Sequence, residues 1–208
     1  MKIEKEWKEL QDIRWKEYLS GVTGFFNTGG KGVDLVRKTI DQTINGRCLD
    51  VGCGVLPLPP YMETHFIQWY GIDPLEGNTE RSFPFKQACA EDMPFKDEFF
   101  NGVLFSTSLD HVKDPVVAIS EAYRVLKPGG YLFIWGGICP NDKKYKKWLY
   151  GPQPAFYDKH HMWAFTNLSI LILTYKFTLI KRIAFRRKIM HCIKGFNIQE
   201  TIFIFKKP

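Results

Sequence analysis

Two short segments constrain this chain more than anything else in it: Arg47-Cys48-Leu49-Asp50-Val51-Gly52-Cys53-Gly54 and, one connection later, Gly71-Ile72-Asp73-Pro74. Each reads as the end of an apolar strand, and each delivers an acidic residue to the same edge of a sheet. Gly52 and Gly54 let the backbone turn tightly and approach a ligand, while Asp73 offers a carboxylate to a ribose diol. The pair predicts a nucleoside site. A dinucleotide fits it poorly, because the G-x-G-x-x-G pattern needs a third glycine where Pro57 stands, and Asp50 would turn negative charge on a pyrophosphate. A carboxylate at that point suits a cationic ligand. Taken alone, the two glycines would equally suit an ordinary βαβ turn.

Further segments follow in order: Ala90-Glu91-Asp92-Met93-Pro94-Phe95 and Glu121-Ala122-Tyr123-Arg124-Val125-Leu126-Lys127-Pro128-Gly129-Gly130-Tyr131-Leu132. With Leu49 to Gly54 and Gly71 to Asp73, they resemble the class I S-adenosylmethionine-dependent methyltransferases. The likeness is greatest to the subgroup that includes the ubiquinone and menaquinone methylases, and it covers Asp50 to Trp135. It implies S-adenosylmethionine as cofactor and an α/β fold: a doubly wound, Rossmann-like, seven-stranded sheet of order 3-2-1-4-5-7-6 with the last strand antiparallel. It also implies roles. Asp50 would lie beneath the methionine end and balance its positive charge, with Gly52, Cys53 and Gly54 leaving room for the backbone. Asp73, followed by Pro74, would accept both ribose hydroxyls. Ala90 and Glu91 would border the adenine, and Ser106 would line the methionine moiety. Helix capping is the structural alternative for the two aspartates.

The chain departs from the family pattern in places. Leu56 occupies the third glycine position, and Pro57, Pro59 and Pro60 follow, so the first crossover helix is expected to start late and be short. Cys89 stands where relatives place an aspartate for the adenine amino group, and Asn101 replaces the aspartate usual before the fourth strand.

The alternation of elements agrees with a doubly wound sheet. An aromatic-faced helix is expected over Glu4 to Ser20, a glycine-rich loop over 21–32, and a second helix over Val33 to Ile44. Strands are expected at Cys48–Val51, Trp69–Ile72, Lys86–Ala90, Gly102–Ser106 and Tyr131–Gly136. A helix runs from Asp114-Pro115 to Lys127-Pro128-Gly129-Gly130. Beyond a lysine- and aromatic-rich connection, Phe165 to Tyr175 reads as helix, and Phe177–Phe185 and Thr201–Lys206 as strands. One domain is the simplest parse: a helical lid (1–45), a cofactor-binding core (46–137) and a substrate-side region (138–208). Five scattered cysteines without a C-x-x-C pair favour reduced thiols in a cytoplasm, and no apolar run approaches the length of a membrane span.

From Lys143 onward there are fourteen lysines and arginines against Asp158 and Glu200, while the preceding residues are net negative. A solvated basic face explains this simply; an anionic small-molecule acceptor is the sharper reading. Nucleic acid is disfavoured, since Ser106-Thr107-Ser108-Leu109 lacks the Asn/Asp-Pro-Pro-aromatic run of base-amino methylases. Methyl transfer to a hydroxyl needs a proton acceptor, and His111, His160 and His161 are the candidates. No metal is expected, for want of a second ligand set at suitable spacing. The expected reaction is O-methylation of a hydroxylated, sugar-containing small molecule; N- or C-methylation, or cofactor binding without turnover, are the alternatives.

Overall fold

A computed structural model of the chain describes residues 2–20, 31–77, 79–139, 153–154, 161–185 and 199–208. At its centre lies β1 (Gly46–Val51), parallel to β2 (Ile67–Asp73) on one side and to β4 (Phe100–Ser106) on the other. β3 (Phe85–Gln87) extends the sheet beyond β2, and β5 (Leu126–Cys139) lies parallel to β4. Two short strands, β6 (Gln153–Pro154) and β7 (Trp163–Thr166), pair with each other, and β7 also runs along the end of β5. β8 (Thr178–Phe185) and β9 (Gln199–Lys206) close the sheet. β9 is antiparallel to both β5 and β8, which gives the order β3-β2-β1-β4-β5-β9-β8. With β6 and β7 set aside, this is the order expected from the sequence.

Strand alternation divides the core in two. Leu49, Val51, Val103, Phe105, Leu132 and Ile134 point to one face, where Ala118, Ile119 and Ala122 of helix α3 (Pro115–Val125) cover them. Cys48, Leu104, Phe133 and Trp135 point to the other, beneath Val33, Val36 and Ile40 of helix α2 (Lys31–Asp41). Helix α1 (Lys2–Leu19) precedes these, and α4 (Asn167–Leu173) follows β7 through a capping box between Thr166 and Ser169.

Several boundaries differ from expectation. α3 stops at Val125, and Leu126 already belongs to β5, so Lys127-Pro128-Gly129-Gly130 lies within the strand; there the pairing with β4 slips between Phe100 and Gly102, and Gly129 adopts φ +76°. Phe165 is a strand residue, because β7 pairs it with Ile138 before α4 begins. β3 ends at Gln87, short of Ala90. The first crossover helix shrinks to a 3-10 turn, Pro60–Met62, since the prolines before it remove the N–H groups a longer helix would need.

Near its end the chain fastens α3 to the sheet. Lys207 is buried, and its ammonium donates to the Tyr123 carbonyl in the last turn of α3 and to that of Leu126, the residue after it, at 2.9 and 2.7 Å. Lys207→Met keeps the stem but strands those carbonyls. It is expected to cost about 1–3 kcal/mol, read as a thermal midpoint several degrees lower; an unchanged midpoint would show that the carbonyls find other partners.

Candidate functional site

The C-terminal ends of β1, β2 and β4 form one edge, and the register sets the geometry there. Asp50 pairs with Gly71 and Val51 with Ile72, so Asp73 emerges just beyond the last pair, beside the loop that follows β1. That loop needs its glycines: Gly52 and Gly54 have φ of +77° and +67°, where a side chain is strained. A Cβ on Gly52 would also stand 2.5 Å from the Ser108 Cβ. Ser108 in turn donates from Oγ to the Val51 carbonyl, which ties the loop after β4 to the turn after β1. Thr107, between β4 and Ser108, takes φ +55° to make this approach.

Beneath the turn lies Asp50, fully buried. The Tyr61 hydroxyl donates to its Oδ2 at 2.8 Å, whereas no hydrogen-bond donor among the described residues reaches Oδ1. Ser106 is buried on the same side, its hydroxyl beside the Tyr61 phenol. Burial pushes the Asp50 carboxyl up to about 7; the Tyr61 bond opposes that and the Asp73 charge adds to it. Asp73 accepts from the backbone N–H of Gly54 at 3.0 Å and of Leu75 at 2.9 Å, one bond to each oxygen. Burial raises it to about 6, against the pull of those bonds and of Arg81. Each Asp73 oxygen keeps a lone pair beyond its backbone bond.

Among its described residues the connection from β2 to β3 contains no helix, and Arg81 straps it down. Its Nε and Nη2 donate to the Gly54 carbonyl at 3.0 and 2.6 Å, Nη1 reaches the Glu76 carbonyl at 2.7 Å, and the guanidinium lies over the Phe85 ring. Ser82 adds a bond to the Pro57 carbonyl. Arg81 and Tyr61 thus hold the two aspartates' surroundings, yet neither stands out in the sequence: each sits in an irregular connection with no periodic signal.

The motif after β3 has a similar explanation. Glu121 accepts from the Met93 N–H, and Arg124 donates to the Met93 and Phe95 carbonyls as well as to Glu121 and Asp97. The two motifs therefore clamp each other, fixing Ala90 and Glu91 at the cleft edge. Ala90 is buried, and the Glu91 carboxylate receives the N–H groups of Lys113 and Asp114 at 2.6 and 2.9 Å. These bonds tie one oxygen of the Glu91 side chain to the backbone of the loop after β4. Asn101 likewise serves the frame, accepting from the Arg47 N–H.

One turn beyond Ser108, the structure gathers groups that are far apart in sequence. His111 and His161 stack with ring centroids 4.7 Å apart, and the Asp110 carboxylate lies beside both, one oxygen 3.7 Å from the His111 Nε2 and the other 3.6 Å from the His161 Nε2. Helix α1 packs over this turn: Trp7 Nε1 donates to the His111 carbonyl at 3.1 Å, and Arg14 Nη2 lies 3.3 Å from His111 Nε2. Helix α1 therefore contacts the His111 turn. Asp110 was missed by sequence reasoning, since nothing marks it until His161 arrives beside it. His160 and the aromatic residues 145–157 lie outside the described residues.

The raised carboxyls give a signed pH dependence. Between the unfolded value near 3.8 and the folded value near 7, the native state holds more protons on Asp50 than the unfolded chain does, so this group's stabilisation is lost as pH rises across that window. Asp50→Asn, which keeps the Tyr61 bond, should raise the melting temperature of the ligand-free protein at pH 8 by several degrees, a gain on the order of 1–3 kcal/mol, and change it little at pH 4. A variant less stable than wild type at pH 8 would contradict the assignment of a strained carboxylate.

Residues 49–134 match the family model described as a methyltransferase domain. Among curated proteins, the ubiquinone/menaquinone biosynthesis C-methyltransferase UbiE of Psychromonas ingrahamii is 36% identical over 86 residues, 41% of this chain and 31% of the relative. The UbiE of Coxiella burnetii is 29% identical over 92 residues, 44% of this chain and 34% of the relative. The match thus spans about a third of the length of these relatives. Among solved structures, the 1,6-didemethyltoxoflavin-N1-methyltransferase of Burkholderia thailandensis superposes with a TM-score of 0.68 at 13% identity, covering 95% of this chain and 86% of that one. A methyltransferase structure from Bacillus halodurans gives 0.64 at 18% identity, covering 86% and 100%. Motifs, sheet order and these likenesses point the same way: residues 49–134 are similar to a methyltransferase domain, and the sheet has the fold of these solved methyltransferase structures.

Proposed function

We propose that the chain methylates a small hydroxylated acceptor, sugar-containing and anionic in the first instance, with S-adenosylmethionine as methyl donor. The observation that carries the cofactor half is the buried Asp50 carboxylate, one oxygen bonded to Tyr61 and the other without a donor among the described residues, directly beneath a turn of two positive-φ glycines. Such an orphaned acceptor fits a ligand that brings positive charge and N–H groups, and it would repel a phosphate. Asp73, at the adjacent strand end, would receive the ribose hydroxyls on its remaining lone pairs. The Ala90–Glu91 main chain would read the adenine edge, and Ser106 would line the methionine end. When bound, S-adenosylmethionine supplies a methyl group on a sulfonium, already activated toward a nucleophile.

The protein's remaining tasks are then alignment, exclusion of water and removal of a proton. His111 and His161, with Asp110 beside both, are the acceptor-side groups suited to the last, and α1 covers them. Lys181 and Arg182, the two basic residues of β8, favour an anionic acceptor. A second reading, methylation at carbon, is favoured by the names of the UbiE relatives. Among the described residues no helix is long and apolar enough to cross a membrane.

Calorimetric titration with S-adenosylmethionine and with S-adenosylhomocysteine tests the cofactor half. Micromolar binding is expected, weakened about tenfold or more in Asp73→Ala, in keeping with the loss of charge-assisted bonds; absence of binding by the wild type would overturn it. Methyl release over a panel of acceptors with and without hydroxyls then separates oxygen from carbon transfer. Turnover confined to acceptors without a hydroxyl would select the second reading.

A further inference from the structure

The cluster of Asp110, His111 and His161 has more in its geometry than a proton acceptor requires. We propose that it is a binding site for a divalent transition cation of the zinc class, and that the Arg14 guanidinium occupies the position in the ion's absence. The ligand atoms of the three residues all lie within 4.8 Å of one another. The Asp110 oxygens stand 3.7 and 3.6 Å from the two Nε2 atoms, beyond hydrogen-bond length. Two ligands bound tetrahedrally at about 2.0–2.1 Å would be separated by roughly 3.4 Å. These separations are within reach of one cation, and binding would turn the two rings, now stacked with an interplanar angle of 25°, so that both lone pairs converge on it.

The cluster is also built from outside. His161 is held in place by its neighbours: the Met162 N–H donates to the Asp110 carbonyl at 2.8 Å, and Trp163 Nε1 donates to the Val112 carbonyl at 2.7 Å. These bonds join the two halves of the ligand set through backbone, independently of the side chains that would bind the ion. An arginine has only donors, so Arg14 at 3.3 Å from His111 Nε2 faces that nitrogen's lone pair. The same lone pair would bind a metal. Arg14 is a quarter exposed and paired with Glu17 at 2.9 Å, so it can turn outward to solvent without burying a charge. Two imidazoles and one carboxylate suit zinc, cobalt or nickel in preference to magnesium or calcium, and three protein ligands leave a fourth position open. The ion and the proton proposed above compete for one lone pair, but cation binding needs neither cofactor nor acceptor, and it stands or falls separately from methyl transfer.

The test uses the full chain, stripped with chelator and titrated with Co2+ for the visible absorption of a tetrahedral site and with Zn2+ by calorimetry, with no other ligand present. Binding of ~1 equivalent is expected. It should weaken about tenfold or more in His161→Ala and Asp110→Asn, and strengthen several-fold in Arg14→Ala, where the competing guanidinium is gone. Circular dichroism checks that each variant is folded. Adventitious binding elsewhere would leave the His161→Ala affinity unchanged and would overturn the proposal, as would the lack of saturable binding by both wild type and Arg14→Ala. Should His161→Ala fail to fold, the Arg14→Ala arm decides: affinity no greater than wild type removes the claim.

Discussion

A carboxylate buried with half of its hydrogen bonds made is an expensive thing to keep inside a sheet. Asp50 sits at the end of the central strand, with Tyr61 on one oxygen and, among the described residues, no donor on the other. Desolvation opposes its charge strongly enough to bring its pKa to about 7. The surrounding parts depend on that position. Tyr61 is delivered by the 3-10 turn that replaces a crossover helix, the glycines turn the chain directly above it, and the register with β2 sets Asp73 beside them. Replacing Asp50 by an apolar residue would relieve the strain and remove the reason for the rest.

Loss of the first crossover helix and the lack of one among the described residues between β2 and β3 shift work onto side chains. On a fuller version of this fold, helices would hold the loops at the strand ends; here Arg81 does so with bonds to Gly54 and Glu76, and Ser82 with a bond to Pro57. On the opposite side of the cleft, the Glu121–Arg124 pair clamps the segment after β3 to α3, and hydrogen bonding to Glu121 and Asp97 holds the guanidinium firmly protonated. The same economy appears where α3 meets β5, as Lys207 donates to the Tyr123 and Leu126 carbonyls from just beyond β9. Polar side chains reaching main-chain carbonyls thus substitute for missing secondary structure.

The strand ends were legible because their signals are local: an apolar run, an acidic residue and glycines need no distant partner to be recognised. The positions of Asp50 and Asp73 followed from these, and the sheet order from the family resemblance that the motifs carry. Boundaries were less legible where tertiary pairing overrides propensity. Lys127-Pro128-Gly129-Gly130 looks like a helix stop with a loop after it, yet it bulges within β5 between the pairs Leu126–Phe100 and Tyr131–Gly102, and Lys207 bonds to its Gly129 N–H and Gly130 carbonyl. Phe165 looks helical by hydrophobic pattern, but β5 pairs with it first. Contacts between distant irregular segments were not legible at all. Tyr61 to Asp50, Arg81 to Gly54 and Asp110 to His161 are each set by how loops fall together, and no spacing along the chain announces them.

The most direct test of the account is a crystal structure of the protein with S-adenosylhomocysteine. The account predicts the ligand's amino group against the free oxygen of Asp50, its ribose hydroxyls on Asp73 and its adenine along the Ala90–Glu91 main chain. A ligand bound elsewhere, or one in this cleft with Asp50 still sealed off beneath Tyr61 and Ser106, would contradict the claim that the buried carboxylate is there to receive it.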